Sequence, residues 1–258
     1  MKIALVQMDI VLGNVAANQA KAQAMIEEGC RQGARLVVLP ELWNTGYQLQ
    51  EIRNLAEYED GSSLGMLKRL AQEYCIEIVA GSIAETDGTH VYNTAYVIGQ
   101  DGGIHTKYRK IHLIGLMAED RYLSPGNRRC LFDSVAGPAG LIICYDLRFT
   151  ELPRAMALAG CRTLFVPAEW PSVRGRHWVT LNVARAIENQ LFVIAVNRVG
   201  KDLDNDFYGH SMVVDPWGEV LAEGSEKEEV IVVDVNFAAG EEIRSRIPVF
   251  RDRRPECY

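Results

Sequence analysis

Cys144 closes an apolar run, Gly140-Leu-Ile-Ile-Cys144, and opens a polar segment, Tyr145-Asp-Leu-Arg148-Phe149. Such a run entering a polar, helix-starting segment reads as a buried strand. It delivers a side chain to the C-terminal edge of a sheet, where α/β folds place their chemistry. Two other segments have the same form. Arg35-Leu-Val-Val-Leu39 runs into Pro40-Glu41, and Tyr108-Arg-Lys110 ends the strand-like stretch that starts at Gly103. A thiol, a carboxylate and an ammonium at three strand ends suit a covalent hydrolase. Cys144 is the candidate nucleophile, because a thiolate can attack an amide carbonyl and later leave, splitting the reaction through a thioester. A thiol with a free pKa near ~8.5 is mostly protonated at neutral pH and needs an acceptor. Glu41 is the candidate general base. Lys110 would stabilise the oxyanion, with the backbone N–H of Tyr145 as a second donor.

Each residue alone has a plainer reading: a core cysteine, a solvated loop glutamate, a surface lysine beside Lys107 and Arg109. Strand alternation sets Tyr108 and Lys110 on one face and Lys107 and Arg109 on the other, which favours a distinct role for Lys110. The serine-hydrolase pattern Gly61-Ser62-Ser63-Leu64-Gly65 also occurs. A nucleophile elbow needs a strand before it. Here the acidic Glu57-Tyr-Glu-Asp60 precedes, so a loop and a helix cap are expected instead.

Three words carry a wider likeness: Leu39-Pro-Glu41-Leu-Trp-Asn-Thr-Gly46-Tyr47, Tyr108-Arg-Lys110-Ile-His-Leu113 and Leu141-Ile-Ile-Cys144-Tyr-Asp-Leu-Arg148-Phe149. With weaker matches at Ala184–Asn189, Asn197-Arg198, Gly209–Ser211 and Asp215–Gly218, they span the chain to about Asp234. In this order they resemble the nitrilase (carbon–nitrogen hydrolase) superfamily. The chain is most similar to its ω-amidase branch and to bacterial hydrolases associated with methionine salvage, down to the tail Ile247-Pro-Val-Phe250. The resemblance implies Glu119, before Ser124-Pro-Gly126, as a fourth catalytic residue orienting the substrate amide and Lys110; Asp120 is its neighbour in sequence. It implies a small ω-amide bearing a carboxylate, 2-oxoglutaramate being the best single guess. Nitrile and N-carbamoyl amino acid hydrolysis share the Glu-Lys-Cys set, and a catalytically dead binding scaffold of the same fold is the alternative outside enzymes. Arg148 would hold the substrate carboxylate through a bidentate contact, or else pair structurally with Asp146 or Glu151. Tyr47, Tyr145, Trp170, Arg174 and His177 are further candidates for the substrate pocket.

The elements that must position these groups alternate along the chain. Strands are expected at Lys2–Gln7, Arg35–Leu39, Ile76–Ala80, Val91–Ile98, Gly103–Lys110, Leu141–Cys144, Thr163–Val166, Leu191–Val196, Met212–Asp215, Glu219–Ala222 and Val230–Val235. Helices are expected from an Asn14 cap to about Gln32, from a Ser62 or Ser63 cap, and over Arg176–Asn189. Turn signals at Gln100-Asp101-Gly102 and Pro216-Trp-Gly218 add antiparallel pairs, so the class is α/β with mixed sheets. The resemblance sharpens this to a four-layer α-β-β-α sandwich.

With 258 residues, 48% hydrophobic and 24% charged, and no linker or low-complexity tract, one domain is expected over 1–258. The net charge of −7 argues against a nucleic-acid partner. The N-terminus does not read as a signal peptide, and no run approaches the ~18 apolar residues of a membrane span. The six cysteines form no C-x-x-C, and the five histidines show no metal-ligand spacing. A cytoplasmic enzyme without metal or cofactor is expected, with reduced thiols. The apolar Ile247, Val249 and Phe250 need a surface to bury against. The family likeness makes that a homodimer interface reached by the tail 236–258.

Overall fold

The computed structural model describes residues 1–257, so Tyr258, part of the expected interface tail, lies outside the described residues. Its centre is two six-stranded mixed sheets. The first holds β1 (Lys2–Gln7), β2 (Leu36–Val38), β3 (Glu77–Thr86), β4 (Val91–Ile98), β5 (Ile104–Arg109) and, at its other edge, β12 (Glu229–Asp234). The second holds β6 (Cys130–Ser134), β7 (Gly137–Leu141), β8 (Thr163–Ala168), β9 (Phe192–Asn197), β10 (Met212–Val214) and β11 (Val220–Glu223). The strand orders are β12-β1-β2-β3-β4-β5 and β11-β10-β9-β8-β7-β6. In each sheet the three central strands run parallel and the outer pairings are antiparallel.

Period-two burial explains the layering. In β1, Ile3 and Leu5 join the core that includes Leu141, Leu164 and Val166 of the other sheet. Ala4 and Val6 face the opposite way, into a core with Ala22 and Ile26 of α1 (Val15–Arg31) and Leu64, Leu67 and Ala71 of α3 (Ser62–Tyr74). A strand apolar on both faces must be covered on both. The short α2 (Ile52–Leu55) and α4 (Glu119–Tyr122) lie in the loops, while α5 (Glu151–Leu158) and α6 (Gly175–Asn189) belong to the second sheet's side, where Trp178 and Ala186 of α6 enter the core. α7 (Ala239–Arg246) follows the last strand. The result is the four-layer α-β-β-α sandwich expected from the sequence.

β1 and β4 match the sequence reading residue for residue, and Asn14 caps α1 by accepting from Ala17 N–H at 3.1 Å. Several details differ, β3 among them, which runs on past Ala80 to Thr86. Gly61, not a serine, occupies the N-cap of α3, and the Glu57 carboxylate accepts from Ser63 N–H (2.8 Å) and Ser63 Oγ (2.5 Å) in its place. Ser63 Oγ is thus engaged on a helix start, without the strand an elbow requires. The strand before Cys144 ends at Leu141, three residues early, and a 3-10 turn spans Cys144–Arg148. β6 and α5 were not anticipated: β6 is a five-residue edge strand, and Pro153 lies within the first turn of α5.

Gly81 shows how the fold sets up the site. It has φ +55° inside β3, where the register with β4 shifts between Val79 and Ser82. A Cβ there would collide with the Pro40 carbonyl. The bulge lets Ser82 N–H donate to Pro40 O (3.1 Å) and Ser82 Oγ accept from Leu42 N–H (2.9 Å), gripping the turn that presents Glu41. Gly81→Ala is expected to cost about 1–3 kcal/mol or more from overpacking and a disfavoured φ. Urea unfolding measures the loss.

Candidate active site

The two sheets pack face to face, and side chains that follow strands of both converge at one end of the sandwich. Glu41 follows β2 and Lys110 follows β5 of the first sheet, and Glu119 opens α4 in the connection after β5. Cys144 follows β7 of the second. Glu41, Lys110 and Glu119 are fully buried and Cys144 is 5% exposed. Lys110 Nζ donates to Glu41 Oε1, Glu119 Oε1 and Glu119 Oε2, each at 2.8 Å. The sequence left Glu119 and Asp120 open; the buried member of the cluster is Glu119, and Asp120 is exposed.

Neutral donors complete the cluster. Asn93 Nδ2 on β4 reaches Glu41 Oε1 (2.8 Å) and Glu119 Oε1 (3.3 Å), and Tyr47 OH reaches the same two atoms at 3.1 and 3.0 Å. Backbone N–H groups of Glu169 and Ile114 close Glu41 Oε2 and Glu119 Oε2, both at 2.8 Å. The thiol of Cys144 is 3.9 Å from the Glu169 carbonyl.

Burial and then the Glu41 carboxylate push the Cys144 thiol well above its usual range, so at rest it is protonated and needs a base. Burial alone would lower the Lys110 pKa, but Glu119 and Glu41 raise it overall, which keeps the ammonium charged. Burial, aided by Glu41, raises Glu119 despite Lys110. Backbone strain gathers at the same place. Leu42, Ala118 and Cys144 hold left-handed φ of 38°, 59° and 45°, each at or beside a member of the cluster. Non-glycine residues adopt such values where surrounding structure forces them, and functional sites are where this recurs.

Beside the cluster lies a cavity of about 490 Å³ whose walls include Tyr47, Met117, Ala118, Arg174 and Asp202. Tyr47 is therefore shared between the cavity and the buried carboxylates. Arg148 stacks over the Trp170 ring at 4.6 Å and lies 3.3 Å from His177 Nδ1. It pairs with neither Asp146 nor Glu151, the structural partners the sequence offered. Among the described residues neither Arg148 nor Arg174 forms an ion pair; burial and then Arg174 lower the Arg148 pKa. Trp170 is buried, with Nε1 donating to Arg174 O at 2.8 Å, so it both packs and supports the arginines. His177 is exposed at the rim, and Tyr145 packs edge-on to Phe149.

Sequence reasoning gave no site role to Asn93, Asp146, Glu169 or Arg198. Glu169 had a signal: like Glu41, it follows an apolar run ending in proline, Leu164-Phe-Val-Pro167. It is buried, accepts from Arg198 Nη1 at 3.0 Å, and its other oxygen has no partner.

The carbon-nitrogen hydrolase family model matches residues 2–245, and the chain belongs to that family. A 2-oxoglutaramate amidase of Bacillus subtilis is 43% identical over 99% of this chain and 98% of its own length. An omega-amidase of Homo sapiens is 38% identical over 100% of this chain and 96% of its own. A solved Saccharomyces cerevisiae protein, a member of branch 10 of the nitrilase superfamily, superposes with a TM-score of 0.90 at 34% identity, covering 98% of this chain and 96% of that one. The superfamily and the fold expected from the sequence both hold, and the protein is an enzyme, a hydrolase of carbon–nitrogen bonds.

The Glu169 carboxyl is raised by burial from 4.5 to about 8 in spite of Arg198. Its folded pKa lies above its unfolded value, so its stabilising contribution is complete below about pH 4.5 and is lost as pH rises through about 8. Glu169→Gln keeps the neutral shape at every pH. Urea midpoints of the wild type are expected to decline from pH 5 to 8.5 more steeply than those of the variant. Parallel profiles would contradict the assignment.

Proposed function

We propose that this enzyme is a cysteine-dependent amidase acting on a small ω-amide with a carboxylate at its far end, 2-oxoglutaramate being the substrate. The observation that carries the reading is the Lys110 ammonium locked between two buried carboxylates beside a buried thiol. The names of the relatives from Bacillus subtilis and Homo sapiens support the substrate class. Arg174 in the cavity wall and Arg148, neither in an ion pair among the described residues, support the carboxylate.

In this mechanism Glu41 takes the Cys144 proton and the thiolate attacks the amide carbonyl carbon. Lys110 and the Tyr145 backbone N–H stabilise the tetrahedral oxyanion. The intermediate collapses with cleavage of the C–N bond, and Glu41 returns the proton to the departing ammonia, leaving a thioester. Water, losing a proton to Glu41, then attacks the thioester. The thiol and the free carboxylic acid, 2-oxoglutarate, are released. Glu119 orients Lys110 and the substrate amide. Every proton and charge is handled by these side chains, so we propose that no metal or cofactor takes part.

The fold, 1–258, acts as one domain in this reading, with 236–258 at a homodimer interface. The tail already touches its own subunit: Gln190 Nε2 donates to Ile247 O at 2.8 Å, and Arg154 lies over the Phe250 ring. Ile247 nonetheless remains 50% exposed, as does Ile187 on α6, and a partner would cover them. No helix among the described residues is long and apolar enough to cross a membrane. Free cysteines throughout suit a reducing compartment, and we place the enzyme in the cytoplasm.

Ammonia release from 2-oxoglutaramate, glutamine, a nitrile and an N-carbamoyl amino acid tests the substrate, with 2-oxoglutaramate expected to give the highest kcat/KM. Preference for the nitrile or carbamoyl compound would overturn it. Glu41→Gln is expected to lose about 10²–10⁴-fold in turnover and Lys110→Met about 10²–10³-fold. Turnover near wild type in either would remove that residue from the mechanism. Activity is expected to survive dialysis against EDTA and phenanthroline; loss restored by zinc would reject the metal-free account.

Arg148→Lys is expected to weaken carboxylate-bearing amides while sparing a short neutral amide, since lysine keeps the charge without the planar fork. Equal losses on both would assign Arg148 to structure. Light scattering at micromolar concentration is expected to give at least twice the monomer mass, and a stable monomer would exclude the dimer.

A further inference from the structure

The proposed reaction needs Cys144 and Lys110 at a fixed separation, yet they belong to different sheets. The geometry points to Asp146 as the positioning residue that holds the nucleophile and the oxyanion-stabilising lysine in register across the seam between the sheets; this rests on the reading of Cys144 and Lys110 given above.

Asp146 is fully buried and accepts four hydrogen bonds. Its Oδ2 takes Tyr108 OH at 2.7 Å and Ile143 N–H at 3.0 Å. Its Oδ1 takes His112 N–H at 2.9 Å and His112 Nδ1 at 2.7 Å. Tyr108 and His112 lie two residues to either side of Lys110, and Ile143 immediately precedes Cys144. One carboxylate therefore brackets the lysine on both sides and grips the nucleophile's turn, which it also belongs to.

The residue type follows from the donors. A carboxylate offers only acceptors, and all four partners donate, which fixes the proton of His112 on Nδ1. An asparagine of the same shape would turn its NH₂ against two donors, leaving buried groups unmatched. The His112 ring is held a second way. It stacks on Phe149 at 3.6 Å between centroids and 9° between planes, and Phe149 closes the turn that Cys144 opens. Both ends of the Lys110 segment are thus tied to the Cys144 turn, with no hydrogen bond from the Asp146 carboxylate to Lys110 or to the thiol. Burial and the Asp146 carboxylate hold the Tyr108 hydroxyl far above its usual pKa, so that this tie stays a donor across the working pH range.

The test measures kcat, KM and the rate of Cys144 alkylation by iodoacetamide in the wild type, Asp146→Asn, Tyr108→Phe and His112→Ala, with circular dichroism as the check on folding. Misplacement of reacting groups by about 1 Å costs on the order of 10²-fold. Asp146→Asn is expected to lose about that factor in kcat with little change in KM, and to alter the alkylation rate. Tyr108→Phe and His112→Ala, each cutting one tie, are expected to show the same pattern with smaller losses. Where Asp146→Asn does not fold, these two decide. Folded variants with wild-type kcat and alkylation rate would overturn the proposal. A Cys144→Ser control separates the two readings: full turnover there would end the cysteine mechanism itself, whereas an inactive control beside a fully active Asp146→Asn would end only the positioning role.

Discussion

An ammonium group without water around it is the constraint on which the rest of this structure depends. Lys110 is fully buried, and isolated burial of such a charge costs several kcal/mol. Glu41 and Glu119 offset that cost, but they are buried too and bring their own desolvation penalty. Every carboxylate oxygen of the pair is therefore occupied by a donor from the surrounding frame: Asn93, Tyr47, and the backbone of Glu169 and Ile114. Removing one charge would leave the others unmatched, a loss of about 3–5 kcal/mol in buried pairs. The four-layer sandwich supplies what such a cluster demands, strand ends of two sheets that converge where the charges are shielded from bulk solvent.

The same seam explains why the electrostatics are poised for chemistry. Glu41 and Lys110 follow strands of the first sheet, Glu119 lies in the connection after β5, and the thiol follows a strand of the second sheet. Contacts that cross between them, Asp146 on one flank and the Glu169 backbone on the other, set distances that no single strand could fix. The left-handed φ values at Leu42, Ala118 and Cys144 are the local cost of aiming these side chains inward from turns. A thiol whose pKa is driven up by burial is chemically quiet until a base engages it. In this account that limits its reaction to a carbonyl held between Glu41 and Lys110.

Much of this was legible in the chain. Two apolar runs and one strand-like stretch, each leading to a polar reactive group, pointed to Glu41, Lys110 and Cys144, because strand ends at one end of a sheet are close in space however distant in sequence. Period-two alternation also separated Lys110 and Tyr108 from Lys107 and Arg109, and the latter two pair with Glu85 instead of the cluster. What escaped were polar residues whose meaning is set by the partner across the seam. Asn93 sits in the middle of a buried strand, where nothing local distinguishes it from a residue facing a neighbouring loop. Asp146 read as a possible partner for Arg148, since sequence proximity suggested a pairing that the turn geometry does not make. The cap of α3 was misassigned because Glu57, six residues before Ser63, folds back to do what the serine hydroxyls were expected to do.

The central claim is that the acyl group passes through Cys144. Quenching turnover of 2-oxoglutaramate within the first catalytic cycles and mapping the protein by mass spectrometry tests it directly. The account predicts a transient thioester adduct confined to the peptide carrying Cys144 and absent from Cys144→Ser. Rapid turnover with no adduct at Cys144, or an adduct on another residue, would contradict it.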